Sequence, residues 1–145
     1  FFFKQKTAYE IKECDWSSDV CSSGSESILT STNMASALTT APMYCNQIGF
    51  GSIQLVWTGA PVGTFSIQVS NDNCFYESAT MPTSNAKIVN WTTLANSTVA
   101  AGGAAGSYLY VFGTDQIAWQ WMRVVYNASS GTGTITSAQA VLKGY

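Results

Sequence analysis

Two stretches near the middle of the chain alternate apolar and polar residues, the pattern of a β-strand with one buried face. They read SIQLVWT at residues 52–58 and TFSIQVS at residues 64–70. The apolar positions that share a face are Ile53, Leu55, Trp57, Phe65, Ile67 and Val69. The connection at residues 59–63 holds two Gly and one Pro, which are turn formers. The pattern therefore predicts a β-hairpin, closed afterwards by the polar residues 70–73.

Further candidate strands occur along the rest of the chain. They are residues 34–39, 43–47, 87–94, 97–100, 107–112, 117–126 and 134–143. Residues 117–126 (IAWQWMRVVY) lack clean alternation, so both faces of this strand are expected to be covered. The segments between the strands include an irregular excursion at 74–85, a Gly-rich loop at 102–106 and a turn at 127–133.

Strands that recur about every ten residues, with turn residues between them, are typical of β-sandwiches and jelly rolls. The composition agrees, because Thr, Ser, Val, Gly and aromatic residues are abundant and helix formers are scarce. We therefore predict an all-β fold, a sandwich or jelly roll of about seven or eight antiparallel strands. We expect one domain at residues 33–145, preceded by a flexible lead-in at 24–32.

Charge is distributed unevenly along the chain. There are six Lys or Arg and eight Asp or Glu, and seven of these charged residues lie in residues 1–23. A change this sharp indicates a junction between unrelated segments. FFFKQKTAYEIKEC followed by DWSSDVCSS resembles the translation of a flow-cell oligonucleotide, a variable index and a read primer used in short-read sequencing. A secretion signal would need a continuous apolar stretch after its basic residues, so we expect residues 1–23 to be a non-native extension outside the sandwich.

Residues 24–145 are close to neutral, with three basic and four acidic residues and no His. This composition provides no basic patch for nucleic acid, and no apolar run approaches the roughly 18 residues that span a bilayer. Without His, the commonest general base and the usual catalytic triad are missing. We therefore expect a non-enzymatic protein with no cofactor, no metal site, no nucleic-acid partner and no membrane segment.

Two cysteines remain outside the adapter-like segment, Cys45 and Cys74. Two Cys without His do not form a plausible zinc site. The pair could form a disulfide if their strands are neighbours, or both could be buried thiols. The sequence leaves both alternatives open.

Four residues are candidates for a ligand site or an interface: Asn71, Asp72, Trp91 and Arg123. Asn71 and Asp72 could supply oxygens to a Ca²⁺ ion, but the small number of carboxylates favours a turn cap. Trp91 could stack on a sugar, although a core anchor is the simpler interpretation. Each residue thus has a structural interpretation beside the functional one.

Arg123 lies on the apolar stretch 117–126. Its functional interpretation is a ligand-binding guanidinium. Its structural interpretation, which we favour, is a paired Arg whose aliphatic stem packs on Trp119 or Trp121.

The run SIQLVWTGAPVGTFSIQVSND at residues 52–72 resembles a pattern in small virion proteins of tailed phages. The resemblance continues through NWTTL at residues 90–94 and WQWMRVVYNASSGTGTIT at residues 119–136. It implies a virion β-sandwich that contacts other virion proteins or copies of itself. The location it implies is the virion.

The same order of residues also resembles discoidin-like jelly rolls of the galactose-binding type. The matching positions are Ser70, Asp72, Trp91 and Arg123, but Asn73 and Cys74 stand where that family has Gly after the Asp. The departure weakens any ligand site carried over from that family.

Two functional hypotheses follow. The first is a phage virion structural component, such as a capsid decoration, head-fibre or tail-associated protein. The second is a secreted or cell-surface module that binds carbohydrate or mediates adhesion, with surface glycans as partners.

Overall fold

The computed structural model describes residues 22–45, 48–72, 88–113 and 117–144. The chain forms two antiparallel sheets packed as a β-sandwich, which confirms the predicted fold class. Within the described residues there is no helix, and so none that could cross a membrane. The adapter-like residues 1–21, the excursion at 74–85 and Cys74 lie outside the described part.

The described residues form eleven strands rather than the predicted seven or eight, because several short pieces pair separately. They are β1 (Ser22–Leu29), β2 (Thr32–Asn33), β3 (Leu38–Thr39), β4 (Met43–Tyr44), β5 (Ile48–Gly59), β6 (Val62–Ser70), β7 (Thr92–Thr93), β8 (Val99–Gly102), β9 (Gly106–Phe112), β10 (Trp121–Ser130) and β11 (Gly133–Gly144). The front sheet has the order β1-β11-β5-β9, with β2 also beside β11. The back sheet has the order β3-β10-β6-β7, with β4 also beside β10 and β8 also beside β6.

The core lies between the inner faces of the two sheets. The front sheet contributes Ile53, Leu55 and Ile135, and the back sheet contributes Phe65, Ile67 and Met122, all at most 1% exposed. Alternation of apolar and polar residues puts these side chains on one face of each strand. The predicted core positions in residues 52–58 are therefore confirmed.

The predicted hairpin of residues 52–70 is wrong. β5 pairs with β11 and β9 in the front sheet, whereas β6 pairs with β10, β7 and β8 in the back sheet. The chain crosses from one sheet to the other through Ala60 and Pro61 alone. Alternation shows which face of a strand is buried but not which strand lies beside it. Two alternating strands can therefore pair within one sheet, or they can face each other across the core from different sheets.

A second crossing joins β10 to β11 through Gly131 and Thr132. The two crossings lie side by side, and the Ala60 N–H donates a hydrogen bond to the Thr132 carbonyl at 2.8 Å. Gly59 and Gly131 have φ angles of 88° and 74°, in the region that side chains disfavour. A Cβ at Gly131 would lie 2.2 Å from the Ala60 carbonyl oxygen, so this corner has no room for a side chain.

Strand ends and polar strands also differ from prediction. Within the described residues, the candidate strands 34–39 and 87–94 shrink to Leu38–Thr39 and Thr92–Thr93, and the predicted turn at 127–133 is strand up to Ser130. The lead-in predicted at 24–32 does not stand apart from the sheet, because β1 pairs with β11 from Ser22 to Leu29. Thus Ser22 and Ser23 of the adapter-like segment lie in a strand. The sequence SSGSESIL has no apolar alternation, so this strand rests on backbone pairing with β11 and on the contact of Ile28 and Leu29 with the core.

Cys45 is a free thiol in the core. Burial raises its pKa to about 12, so the neutral thiol is the stable form. Of the two alternatives for the cysteines, the buried thiol therefore holds for Cys45.

We predict that Gly131→Ala destabilises the protein by about 2 kcal/mol or more, because the side chain would be strained at positive φ and would meet the Ala60 carbonyl. Gly102→Ala is the matched control, since a Cβ there meets no atom within 4 Å. Urea unfolding followed by tryptophan fluorescence measures both variants. Equal effects of the two substitutions would contradict the role of the corner.

Candidate functional site

Three chain segments meet where β6 ends and β10 begins. The Gln120 N–H donates to the Ser70 carbonyl at 3.1 Å and to Asn71 Oδ1 at 3.0 Å. The Trp121 indole N–H donates to the Asp72 carbonyl at 2.9 Å. These bonds hold the segment after β6 against the segment before β10, and the third segment, residues 88–91, is held by Asp72.

The Asp72 carboxylate joins the first segment to the third. Oδ2 accepts the N–H groups of Val89 at 2.7 Å and Asn90 at 2.8 Å, and Oδ1 accepts the Asn90 side-chain amide at 2.8 Å. The hydrogen bonds from Asn90, its backbone N–H first, hold the pKa of Asp72 below the usual range for Asp. Both carboxylate oxygens thus accept hydrogen bonds from a distant loop.

The predicted cap is therefore a clamp between loops rather than a cap on its own turn. The alternative use of Asp72, as a Ca²⁺ ligand, competes with the three hydrogen bonds that its oxygens accept. Among the described residues, no group of three or more Cys, Asp or Glu side chains is close enough to hold a metal ion.

Arg123 and Trp91 contact each other on the outer face of the back sheet. The Arg123 guanidinium carbon lies 4.1 Å from the centre of the Trp91 ring, a cation–π geometry. Arg123 Nε and Nη2 donate to Gln68 Oε1 at 2.8 and 2.7 Å, across a directly paired position of β10 and β6. Partial burial lowers the pKa of Arg123.

The sequence favours Trp119 or Trp121 as the ring on which the aliphatic stem of Arg123 packs. β10 puts Arg123 two residues after Trp121 on the same face, but the ring over the guanidinium belongs to Trp91. The Trp91 indole N–H donates to the Ile88 carbonyl at 2.8 Å, which fixes the ring in this position. Trp91 lies 32 positions before Arg123 in the sequence, so no pattern within residues 117–126 identifies it as the partner.

A second, smaller apolar cluster also lies at this junction. It consists of buried Ile88 and Trp121, with Tyr44 and Trp91 packed against them. Trp121 and its neighbour Met122 are both 0% exposed although they point to opposite faces of β10. The prediction that both faces of residues 117–126 are covered is thereby confirmed for this part of the strand.

A cavity of about 400 Å³ opens beside the clamp. Its walls are formed by Val69, Ser70, Asn71, Asp72, Asn90, Thr92 and Trp119. The structure thus brings the four predicted residues to one end of the back sheet. Asn71 and Asp72 line the cavity, whereas Trp91 and Arg123 lie beside it on the sheet face.

Asn90 and Trp119 are two of the five cavity residues that are not among the four candidates from the sequence. Trp119 is half-buried, with its ring centre 5.9 Å from that of Phe112. Asn90 reaches the cavity only because Asp72 holds it from 18 positions away. No local pattern in the sequence carries this information.

A second surface feature lies on the outer face of the front sheet. Three large apolar side chains are exposed there, Phe50 at 38%, Leu109 at 56% and Val111 at 63%. With Val141 and Lys143 they line a groove of about 260 Å³, and the Lys143 ammonium lies 5.9 Å from the Phe50 ring centre. This apolar patch of Phe50, Leu109 and Val111 lies on the front sheet, whereas the polar cavity lies on the back sheet.

No protein-family model and no curated protein sequence matches the chain. The polar cavity and the apolar patch are therefore the features on which a function can be based. They differ in chemistry, since the first offers hydrogen-bonding groups and the second offers apolar area.

We predict that Asp72→Asn removes part of the acid sensitivity of folding. Because the folded-state pKa of Asp72 is lowered, its carboxylate stabilises the fold above the unfolded-state pKa, and this contribution is lost as the pH falls through the folded-state pKa. Wild type should therefore be more stable than the variant near neutral pH, and the difference should vanish in acid. Urea unfolding at a series of pH values measures it, and a difference independent of pH would contradict the clamp.

We also predict that Arg123 and Trp91 are energetically coupled by about 1 kcal/mol, because the guanidinium lies over the ring and is partly desolvated. A double-mutant cycle of Arg123→Ala and Trp91→Ala measures the coupling. The matched control cycle pairs Arg123→Ala with Val89→Ala, since the Val89 side chain is 77% exposed. Additive effects in the first cycle would show that the contact contributes nothing to stability.

Proposed function

We propose that this protein is a non-enzymatic structural component of a phage virion, such as a capsid decoration, head-fibre or tail-associated protein. It acts by packing against copies of itself or against other virion proteins. The observation that carries the proposal is the exposed apolar patch of Phe50, Leu109 and Val111 on the front sheet. The likeness of residues 52–72 and 119–136 to virion proteins of tailed phages supports it.

The use of charged groups supports the same proposal. Asp72 and Arg123 both bind neighbouring parts of the chain, so their hydrogen-bonding capacity serves the fold. Exposed apolar side chains on one sheet face are the kind of surface that marks contact with another protein. A surface where these two charges bind within the molecule while apolar area is exposed is suited to assembly.

The low charge of residues 24–145 fits a subunit with close neighbours. Only three basic and four acidic residues occur there. Each charge that an interface covers must be paired or lose its hydration, so a surface with few charges is easier to bury. Contacts of this protein would then rest on apolar and backbone groups.

The test is the presence of the protein in purified phage particles. Particles are isolated on density gradients from samples that carry the gene, and the tryptic peptide of residues 124–143 is quantified by mass spectrometry. We expect the peptide to band with major capsid proteins, while peptides of a host cytosolic protein, as the control, stay out of that fraction. A peptide found in cells or medium but absent from particles would overturn the proposal.

The polar cavity favours a second candidate, a carbohydrate-binding or adhesion module. Its wall combines the half-buried Trp119 ring with amide and carboxylate groups of Asn71, Asp72 and Asn90. A ring beside several hydrogen-bonding groups suits a sugar. Saturable binding on a glycan array that Thr92→Lys at the cavity wall abolishes would favour this candidate over a purely structural role.

A further inference from the structure

The sheet edges of this protein differ sharply in how they are protected. Unpaired strand edges attract other strands, and proteins block them with short strands, bulges, charges or Pro. In the back sheet, the described edge strands β3, β4 and β7 have two residues each, and β8 has four. In the front sheet, the pairing of β1 with β11 is interrupted by register shifts in two places.

β9 has none of these protections. Its seven residues, Gly106–Phe112, contain no charge and no Pro, and all seven pair with β5 without a register shift. Among the described residues, no strand pairs with its other edge. Its outward side chains are Ser107, Leu109 and Val111, and the last two are among the most exposed large apolar residues described.

The inner face of β9 holds the strand in place. The Tyr108 and Tyr110 hydroxyls donate to the carbonyls of Ser97 at 3.2 Å and Ala95 at 3.3 Å. A strand fixed in this way presents its free edge without an additional cost of ordering.

We propose that β9 pairs with β9 of a second copy, antiparallel and about a two-fold axis at Leu109. This inference rests on the proposed function and names the surface through which copies contact each other. A two-fold axis makes each contact reciprocal, so Leu109 meets Leu109 of the second copy and Ser107 meets Val111. The four main strands of each front sheet then join into one continuous sheet.

Charge favours a second copy as the occupant of this edge. β9 carries no charge, so two copies meet there without repulsion. Lys143, on β11, is separated from the free edge of β9 by β5. Strands lie about 4.8 Å apart, so the two Lys143 residues of the pair are well beyond a Debye length of about 8 Å and repel little.

The area available sets the strength of the pair. Seven residues give an edge of about 24 Å, and the exposed parts of Phe50, Leu109 and Val111 offer roughly 300 Å² per copy. A stable complex buries about 800 Å² per partner, so we expect the isolated pair to be weak. In an array of copies held side by side, such weak contacts act together.

Analytical ultracentrifugation of the full chain under reducing conditions tests this pairing, because reduction excludes disulfide-linked dimers. We expect a reversible dimer that grows with concentration up to about 1 mM. Leu109→Lys and Leu109→Glu should each lower the association constant at least about tenfold, since like charges would meet at the axis. An equimolar mixture of the two variants should restore association, because Lys then faces Glu.

Val89→Lys is the matched control, since Val89 is 77% exposed and lies outside the front sheet. It should leave association unchanged, and circular dichroism should show all variants folded. A monomeric wild type at the highest concentration, an equal loss in Val89→Lys, or no restoration in the mixture would each overturn the pairing. Any of these results together with the protein in phage particles would leave the proposed function standing and remove only this interface.

Discussion

The sandwich depends on two places where the chain crosses directly between its sheets. Each crossing uses only two residues, Ala60 and Pro61 in one and Gly131 and Thr132 in the other, and a backbone hydrogen bond of 2.8 Å joins them. Links this short hold the ends of the sheets at a fixed separation. The inner faces of β5 and β6 must then face each other, so their apolar side chains form one core instead of two exposed faces.

The opposite end of the back sheet is organised by polar contacts. Pairing of β6 with β10 puts Gln68 opposite Arg123 and Ser70 opposite Trp121. From this register the chain leaves β6 with Asp72 in position to accept three hydrogen bonds from Val89 and Asn90. Buried apolar side chains determine where the strands lie. The Asp72 carboxylate then holds residues 88–91 beside the end of β6, where the cavity opens.

The two outer faces of the sandwich have opposite chemistry. On the back sheet, Arg123 is covered by Trp91 and bonded to Gln68, so its charge is used within the molecule. On the front sheet, Leu109 and Val111 have no such cover among the described residues. The proposed assembly role follows from this contrast, since apolar area without internal partners is stabilised by contact with another molecule.

The sequence by itself determined the fold class and the buried positions. Alternation of apolar and polar residues identified Ile53, Leu55 and Phe65 as inward-facing, because successive side chains of a strand point to opposite faces. It also identified the residues that gather at the junction, Asp72 and Arg123 among them, although it did not indicate Trp91 as the ring over the Arg123 guanidinium.

Only the tertiary structure decided which strands are neighbours, and therefore that β5 and β6 lie in different sheets. Backbone pairing made a strand of the polar residues of β1, and contacts between distant segments placed Asn90 on Asp72 and Trp91 over Arg123. The physical reason is common to all of these. Side-chain periodicity is a local property of one strand, whereas strand partners and loop contacts depend on backbone hydrogen bonds between residues far apart in the chain.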